Sequence, residues 1–236
     1  MSLHLPLSSF GGAIEFIFTP QSSNVTGGAK VGGFDQVMEL TLKQIELTVL
    51  ALALALVISL PLGLYLGHKG KGEVLAVGFA NAGRAVPELA LIALVAALIG
   101  VGLATVTPAL AVLGIPPILS NAYVGVRQVD RPTVDAARGM GMSEFEIIRK
   151  VELPLAIPTV MGGIRSAMIA IVATATIAPL AGVETLGDLI INASIYGDDG
   201  RLAGAMLVAL LALSLEGILA LIQRRLTSDG LKLKTV

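Results

Sequence analysis

The chain has 236 residues, of which 55% are apolar and only 14% are charged, and its mean hydropathy is +0.86. Soluble domains carry about 25% charged residues, so this composition indicates an integral membrane protein. The net charge of −1 gives no attraction for nucleic acid, and the absence of cysteine excludes thiolate metal sites. The apolar residues lie in long blocks, which favours helical spans over a transmembrane barrel.

Residues 1–43 are expected to form an external or interfacial segment. The part from 22 to 33 is rich in Gly, Ser and Thr and predicts a flexible lead-in. Residues 13–18 are apolar but too short to span a membrane, and we interpret them as a disordered tail rather than an interfacial helix. No classical signal peptide is expected, since the first span can serve as an uncleaved membrane signal.

A transmembrane domain is predicted over residues 44–223, followed by a cytoplasmic tail at 224–236. Each predicted span is long enough to cross the hydrocarbon core, because 22 helical residues rise roughly 33 Å. Pro87 is expected to break or kink the second span. The sequence therefore predicts an all-α bundle of five to six transmembrane helices. The five spans are 45–66, 74–101, 105–126, 155–181 and 202–222.

The distribution of Lys and Arg predicts the topology. Eleven of the sixteen basic residues fall in the 67–73 loop, the 127–152 loop and the tail, and three fall in the other connections. Because basic residues concentrate in cytoplasmic loops, the N-terminus is expected outside and the C-terminus inside. The predicted location is a bacterial cytoplasmic membrane, with the chain in contact with lipid.

The polar segment 127–154 predicts two short helices meeting at a corner. Asp130 is a candidate cap and Pro132 fits the first turn of the first helix. Ser143 and Glu146 have the spacing of a capping box that starts the second helix. The first helix is expected to expose Ala136, Ala137 and Met140. The second is expected to anchor the segment to the membrane side through Phe145, Ile148 and Val151, and to end before Pro154.

The same segment resembles the cytoplasmic motif of ABC importer permeases. That motif reads Glu-Ala-Ala, three residues, Gly, nine residues, Ile, one residue, Leu-Pro. The chain differs from it only by Asp for Glu and Val for Ile, and the match covers 20 positions. The residues that carry it are Asp135, Ala136, Ala137, Gly141, Val151, Leu153 and Pro154.

About residues 40 to 225 resemble the permeases of glycine betaine, carnitine and choline importers, most clearly at 82–90, 121–127 and 163–176. The resemblance implies the type I importer permease fold. It also implies a permease that pairs with a second, identical or different, permease subunit and docks through 127–154 on cytoplasmic ATPase subunits. An extracytoplasmic binding protein would deliver the cargo.

The chain itself contains no GxxxxGK[ST] phosphate loop, so it is not expected to be an enzyme. ATP and Mg are expected on the partner ATPase, and no cofactor is expected on this chain. The chain has no Trp, three Tyr and six Phe, too few for an aromatic cage around a trimethylammonium group. Tight cargo selection is therefore assigned to the binding protein.

Charged residues inside spans are costly and are usually paired or face water. Arg165 and Glu216 lie at similar predicted depth, so we hypothesise an ion pair between the fourth and fifth spans. The alternative is that Arg165 reaches the cytoplasm and Glu216 faces a wet cavity. Arg84 and Glu88 are a second candidate pair. Thr174 and Thr176 favour helix–helix hydrogen bonding, with pathway lining as the alternative.

Other functions stay open from the residues alone. The nearest is an ABC permease for amino acids or another small solute. An ion-coupled secondary transporter is an alternative of another class, although no internal repeat is evident.

Overall fold

The computed structural model of the chain describes residues 9–23, 25, 28–72, 78 and 87–227. Within these residues, four helices are long and apolar enough to cross a membrane. The chain begins with α1 (Phe10–Phe18), the strands β1 (Gln21–Ser22) and β2 (Lys30–Val31), α2 (Phe34–Lys69), α3 (Glu88–Ile99) and α4 (Leu103–Arg127). It continues with α5 (Arg131–Gly139), α6 (Glu144–Ile147), a π-helical segment (Ile148–Glu152), α7 (Leu153–Thr174), a 3₁₀ segment (Ala175–Ala181), α8 (Gly187–Ile191) and α9 (Ala193–Leu226).

Helix α2 is longer than the first predicted span. It runs unbroken from Phe34 to Lys69, so it crosses the boundary predicted between residues 43 and 44. The extension follows from helical spacing, because Val37, Leu40 and Leu47 are all buried on one side of the helix. Its 36 residues rise roughly 54 Å, which carries both ends beyond the hydrocarbon core.

The second predicted span falls partly outside the described residues. Its described part is α3, which begins directly after Pro87, at the predicted break. Arg84 lies outside the described residues, and so does its predicted pairing with Glu88.

Helices α2, α4 and α7 form the centre of the bundle, and glycines allow them to approach closely. A Cβ added to Gly63 of α2 would lie 2.6 Å from the Cβ of Ala122 on α4. A Cβ added to Gly163 of α7 would lie 2.6 Å from the carbonyl oxygen of Pro117, also on α4. Small residues at such contacts are typical of membrane helices, which associate through van der Waals packing.

Residues 13–18 lie in the packed helix α1, contrary to the predicted disordered tail. Ser9 caps α1 by accepting a hydrogen bond from the backbone N–H of Gly12. Ala13 and Phe16 are fully buried in a cluster with α9, where Phe16 meets Tyr196 edge-on at 6.4 Å between ring centroids. The prediction failed because this order depends on contact with a helix 180 residues away in sequence.

The predicted flexible lead-in is also wrong for its described residues, since β1 and β2 pair as a short antiparallel ribbon. The backbone N–H of Gly33 donates to the carbonyl of Phe16 and ties this ribbon to α1. We call this end of the bundle the α1 end, and the end that carries α5 and α6 the coupling end.

Adjacent glycines of α7 provide a test of the packing. Gly163→Leu forces a side chain into the backbone of α4, and such overpacking costs about 1–3 kcal/mol. Gly162→Leu is the matched control, because a Cβ at Gly162 meets no described atom within 4 Å. In thermal unfolding of detergent-purified protein, Gly163→Leu should lower the midpoint and Gly162→Leu should not. Equal midpoints for the two variants would contradict this packing.

Candidate functional site

The segment 127–154, which we call the coupling segment, contains two short helices that start where predicted. Pro132 lies in the first turn of α5. Asp130 stands at the cap position, but its side chain accepts from the hydroxyl of Thr133 and not from a backbone N–H of the helix. Ser143 and Glu146 form a complete capping box at the start of α6, as predicted. Gly141 lies between the helices with φ of +84°, a conformation that L side chains rarely adopt. The corner therefore depends on this glycine.

A small apolar core holds the two helices together. It buries Ala137, which was predicted to be exposed. Ala136 and Met140 are exposed as expected, but Ala137 is buried. Ala137 lies close to one turn after Val134, so both face Ile147 of α6. The stiffness of the corner thus comes from packing as well as from backbone geometry.

The predicted membrane anchor is also corrected. Phe145 is 71% exposed, and the neighbouring Ile147 is the fully buried residue of α6. Ile148 is half-buried against the central bundle, and Val151 is half-buried against the core of the coupling segment. Phe145 is left on the surface together with Met140, which is 74% exposed.

The second short helix does not end before Pro154. Helix α6 continues through the π-helical segment into α7, and Pro154 lies in the first turn of α7. Leu153, just before it, is half-buried against the central bundle. A proline lacks the N–H of a regular helical turn, and the change of hydrogen-bond partners in the π segment lets the helix pass this position. One continuous helical stretch therefore joins the coupling segment to the membrane helix.

Charged residues link the two helices of the coupling segment. The guanidinium of Arg138 donates to Asp135 Oδ1 and to Glu144 Oε1, each at 3.1 Å. The hydrogen bond that Arg138 donates to Glu144 holds the pKa of Arg138 above its usual value. Asp135, the first residue of the sequence motif, is thus connected to α6 through Arg138.

Sequence reasoning missed the partners of His68. This residue closes α2, and its ring nitrogens lie 2.6 Å from Glu144 and 2.8 Å from Glu152. Glu144 and Glu152 lie 76 and 84 positions after His68, so no local sequence pattern indicates these contacts. The one signal in the sequence was Glu152, an acidic residue between two apolar positions of the motif. The structure shows that Glu152 is fully buried.

The structure brings Arg165 and Glu216 together. The Nε of Arg165 donates to Glu216 Oε1 at 2.7 Å, and its Nη1 donates to Gln223 Oε1 at 2.9 Å. Gln223 also donates to the carbonyl of Pro158 at 3.3 Å, so three side chains connect α9 to α7. The side chains of Arg165 and Glu216 are 32% and 24% exposed.

The two threonines of α7 and the following segment do not bond between helices. Thr174 is buried, and its hydroxyl finds no hydrogen-bond partner among the described residues. Thr176 donates to the carbonyl of Ala173 in its own turn. The predicted helix–helix hydrogen bonds are therefore wrong within the described part of the chain.

Comparison with known proteins identifies the family. The model of the binding-protein-dependent transport system inner membrane component matches residues 59–228. The chain belongs to this family.

Curated relatives of this permease match most of its length. It is 34% identical over 198 residues to the glycine betaine/carnitine/choline transport system permease protein OpuCB of Bacillus subtilis, covering 84% of this chain and 91% of that relative. It is 35% identical over 195 residues to the osmoprotectant import permease protein OsmY of Salmonella typhimurium, covering 81% and 82%.

Solved structures share the fold of this permease. A chain of the MetNI methionine ABC transporter in an inward-facing conformation has a TM-score of 0.70 at 22% identity, covering 81% of this chain and 96% of that one. A chain of an amino acid ABC transporter has a TM-score of 0.61 at 20% identity, covering 80% and 93%. The fold is thus that of type I ABC importer permeases, as predicted.

The family settles the general role of the chain. This permease is a membrane-embedded transport subunit of an ABC importer and not an enzyme. ATP hydrolysis belongs to a separate subunit, and an ATPase and a substrate-binding protein are its general partners.

A double-mutant cycle measures the contact between α7 and α9. Arg165→Gln and Glu216→Gln should each destabilise the permease, and the double variant should lose less than the sum, with a coupling energy of about 1–2 kcal/mol. The matched control is the Glu146–Lys150 pair, which is exposed at one helical turn and should couple by about 0.5 kcal/mol or less. Denaturant unfolding in mild detergent provides the free energies. Additive effects for Arg165 and Glu216 would show that the contact does not stabilise the bundle.

Proposed function

We propose that this permease forms the pathway for a compatible solute such as glycine betaine, carnitine or choline. The observation that carries the proposal is the similarity to osmoprotectant permeases, at 34–35% identity over more than four fifths of the chain. The methionine and amino acid transporters share the fold at 22% identity or less, which carries no argument about cargo.

A second permease subunit, identical or different, completes the pathway in this proposal. Thr174, at the end of α7, is one candidate for the lining of this pathway. Thr176 is a further candidate, at the start of the 3₁₀ segment that follows. Tight recognition belongs to the extracytoplasmic binding protein, since three Tyr, six Phe and no Trp provide little material for a cation–π cage.

The coupling segment docks on the ATPase in this proposal, and its surface supports that role. Met140 and Phe145 lie on either side of the Gly141 corner and are more than two thirds exposed. Large exposed apolar side chains on a packed support are typical of interaction sites. Because α6 continues into α7, movement of the docked surface is transmitted to the membrane helix. ATP and Mg bind to the partner ATPase.

The N-terminus lies outside and the C-terminus inside in this proposal. Contacts of His68 with Glu152 and of Arg165 with Gln223 support a shared end for the 67–72 loop, the coupling segment and the end of α9. Those three regions carry most of the Lys and Arg residues, which favours placing the coupling end in the cytoplasm. The α1 end then faces the binding protein, and the Arg165–Glu216 pair holds α9 on the cytoplasmic half of the bundle.

Uptake by the reconstituted complex tests the cargo. Proteoliposomes that contain this permease, its ATPase and its binding protein, with ATP inside, should accumulate radiolabelled glycine betaine, carnitine or choline. A hundredfold excess of methionine should not compete, because an amino acid lacks the trimethylammonium group. Accumulation of methionine, with no uptake of the three solutes, would contradict the assigned cargo and leave the importer role in place.

Substitution at the corner tests docking. Gly141→Leu strains a residue with φ of +84° and so changes the corner that carries Met140 and Phe145. ATPase co-purification or the solute imported per ATP should therefore fall at least about fivefold. Gly139→Ala is the matched control, because Gly139 needs no positive φ and has open space around it. Pull-down and paired uptake and hydrolysis assays provide both values. Normal values for Gly141→Leu would refute the docking role.

A further inference from the structure

His68 lies at the end of α2 between two carboxylates from other elements. Its Nδ1 is 2.8 Å from Glu152 Oε2 and its Nε2 is 2.6 Å from Glu144 Oε2. The histidine side chain is 3% exposed and that of Glu152 is 1% exposed, whereas Glu144 is half-exposed. The ring therefore contacts the coupling segment on both sides, through the buried Glu152 and through the half-exposed Glu144.

When two ionised carboxylates contact the two nitrogens of one imidazole, both hydrogen bonds can form only if the group holds one proton more than the neutral ring has. An ionised carboxylate can only accept hydrogen bonds, and a neutral imidazole has a single N–H. Both contacts are satisfied when the ring is an imidazolium, which donates from each nitrogen. Burial of Glu152 favours this state, because a buried carboxylate without a cation is costly and its Oε1 has no partner among the described residues.

The charges around the ring are consistent with a bound imidazolium. Arg138 contacts Glu144 from α5, so the imidazolium and the guanidinium together balance Glu144 and Glu152. Asp135 is the outer partner of Arg138. Among the described residues, four basic groups lie on or beside Gly70 at this helix end. They are Arg127, Arg131, Lys69 and Lys71.

The π segment explains how two residues eight positions apart reach one ring. In a regular α-helix, Glu144 and Glu152 would differ by roughly 80° around the axis. The wider turn of Ile148–Glu152 takes more residues per turn and reduces that difference. The π-helical segment therefore allows a continuous series of polar contacts, which runs Glu152–His68–Glu144–Arg138–Asp135.

We propose that protonated His68 is a positioning residue for coupling, which clamps the coupling segment to α2 so that the two move together. The inference rests on the proposed docking of that segment on the ATPase. Loss of the proton leaves one ring nitrogen facing a carboxylate without a hydrogen, so the clamp weakens as the pH on the coupling side rises. The number of solute molecules imported per ATP then falls, while hydrolysis continues.

Paired uptake and hydrolysis measurements on the complete complex in proteoliposomes test the clamp. The solute-to-ATP ratio of the natural complex should fall as the internal pH is raised from about 6 to about 9, because loss of the ring proton removes one of the two donors that face the carboxylates. His68→Gln removes the second donor, so its ratio should be at least about fivefold lower at pH 6 and should not change with pH. His68→Gln with Glu152→Gln restores an uncharged amide pair and should recover part of the ratio. Lys69→Gln removes an exposed charge from the same helix end and should behave like the natural complex.

The outcomes separate this inference from the docking role. A ratio that stays constant with pH in the natural complex overturns the clamp even where His68→Gln fails to assemble. The clamp is also overturned when His68→Gln keeps both the ratio and its pH dependence. In either case docking still stands when Gly141→Leu uncouples the complex, and docking falls by itself when Gly141→Leu has no effect.

Discussion

The continuity of α6, the π segment and α7 is the constraint on which the rest of the structure depends. A flexible joint at Pro154 would let the coupling segment move without moving the membrane helix. Instead the helix passes through this position, and the corner of the coupling segment is fixed by the Val134–Ala137–Ile147 core. A displacement at the exposed Met140 and Phe145 is therefore transmitted to α7 rather than absorbed between them.

Movement of α7 reaches the other helices through contacts of two kinds. Glycine contacts such as Gly163 on Pro117 leave no space between α7 and α4, so these helices move as a unit. The contacts from Arg165 to Glu216 and Gln223 connect α7 to α9 by polar groups that are partly exposed. The first kind is rigid and the second can rearrange, which is the combination that a transporter changing between two conformations requires.

The sequence was most informative where a function depends on local geometry. Spacing alone identified the capping box of Ser143 and Glu146, and charge placed the coupling segment with the other basic loops. Several of the errors share a physical cause, because they depend on contacts between residues on different elements. Helix α1 is ordered by α9, Ala137 is buried by Ile147, and His68 meets carboxylates 76 and 84 positions away. A pattern of neighbouring residues contains no record of such contacts.

The central claim is that the coupling segment lies in the cytoplasm and is covered by the ATPase. Because the chain contains no cysteine, Met140→Cys provides a single label site. A membrane-impermeant maleimide should label it in inside-out vesicles, should not label it in right-side-out vesicles, and should react more slowly when the ATPase is bound. Lys30→Cys at the α1 end should show the opposite sidedness and no effect of the ATPase. Labelling of Met140→Cys from the outside, or at a rate that the ATPase does not change, would contradict the account.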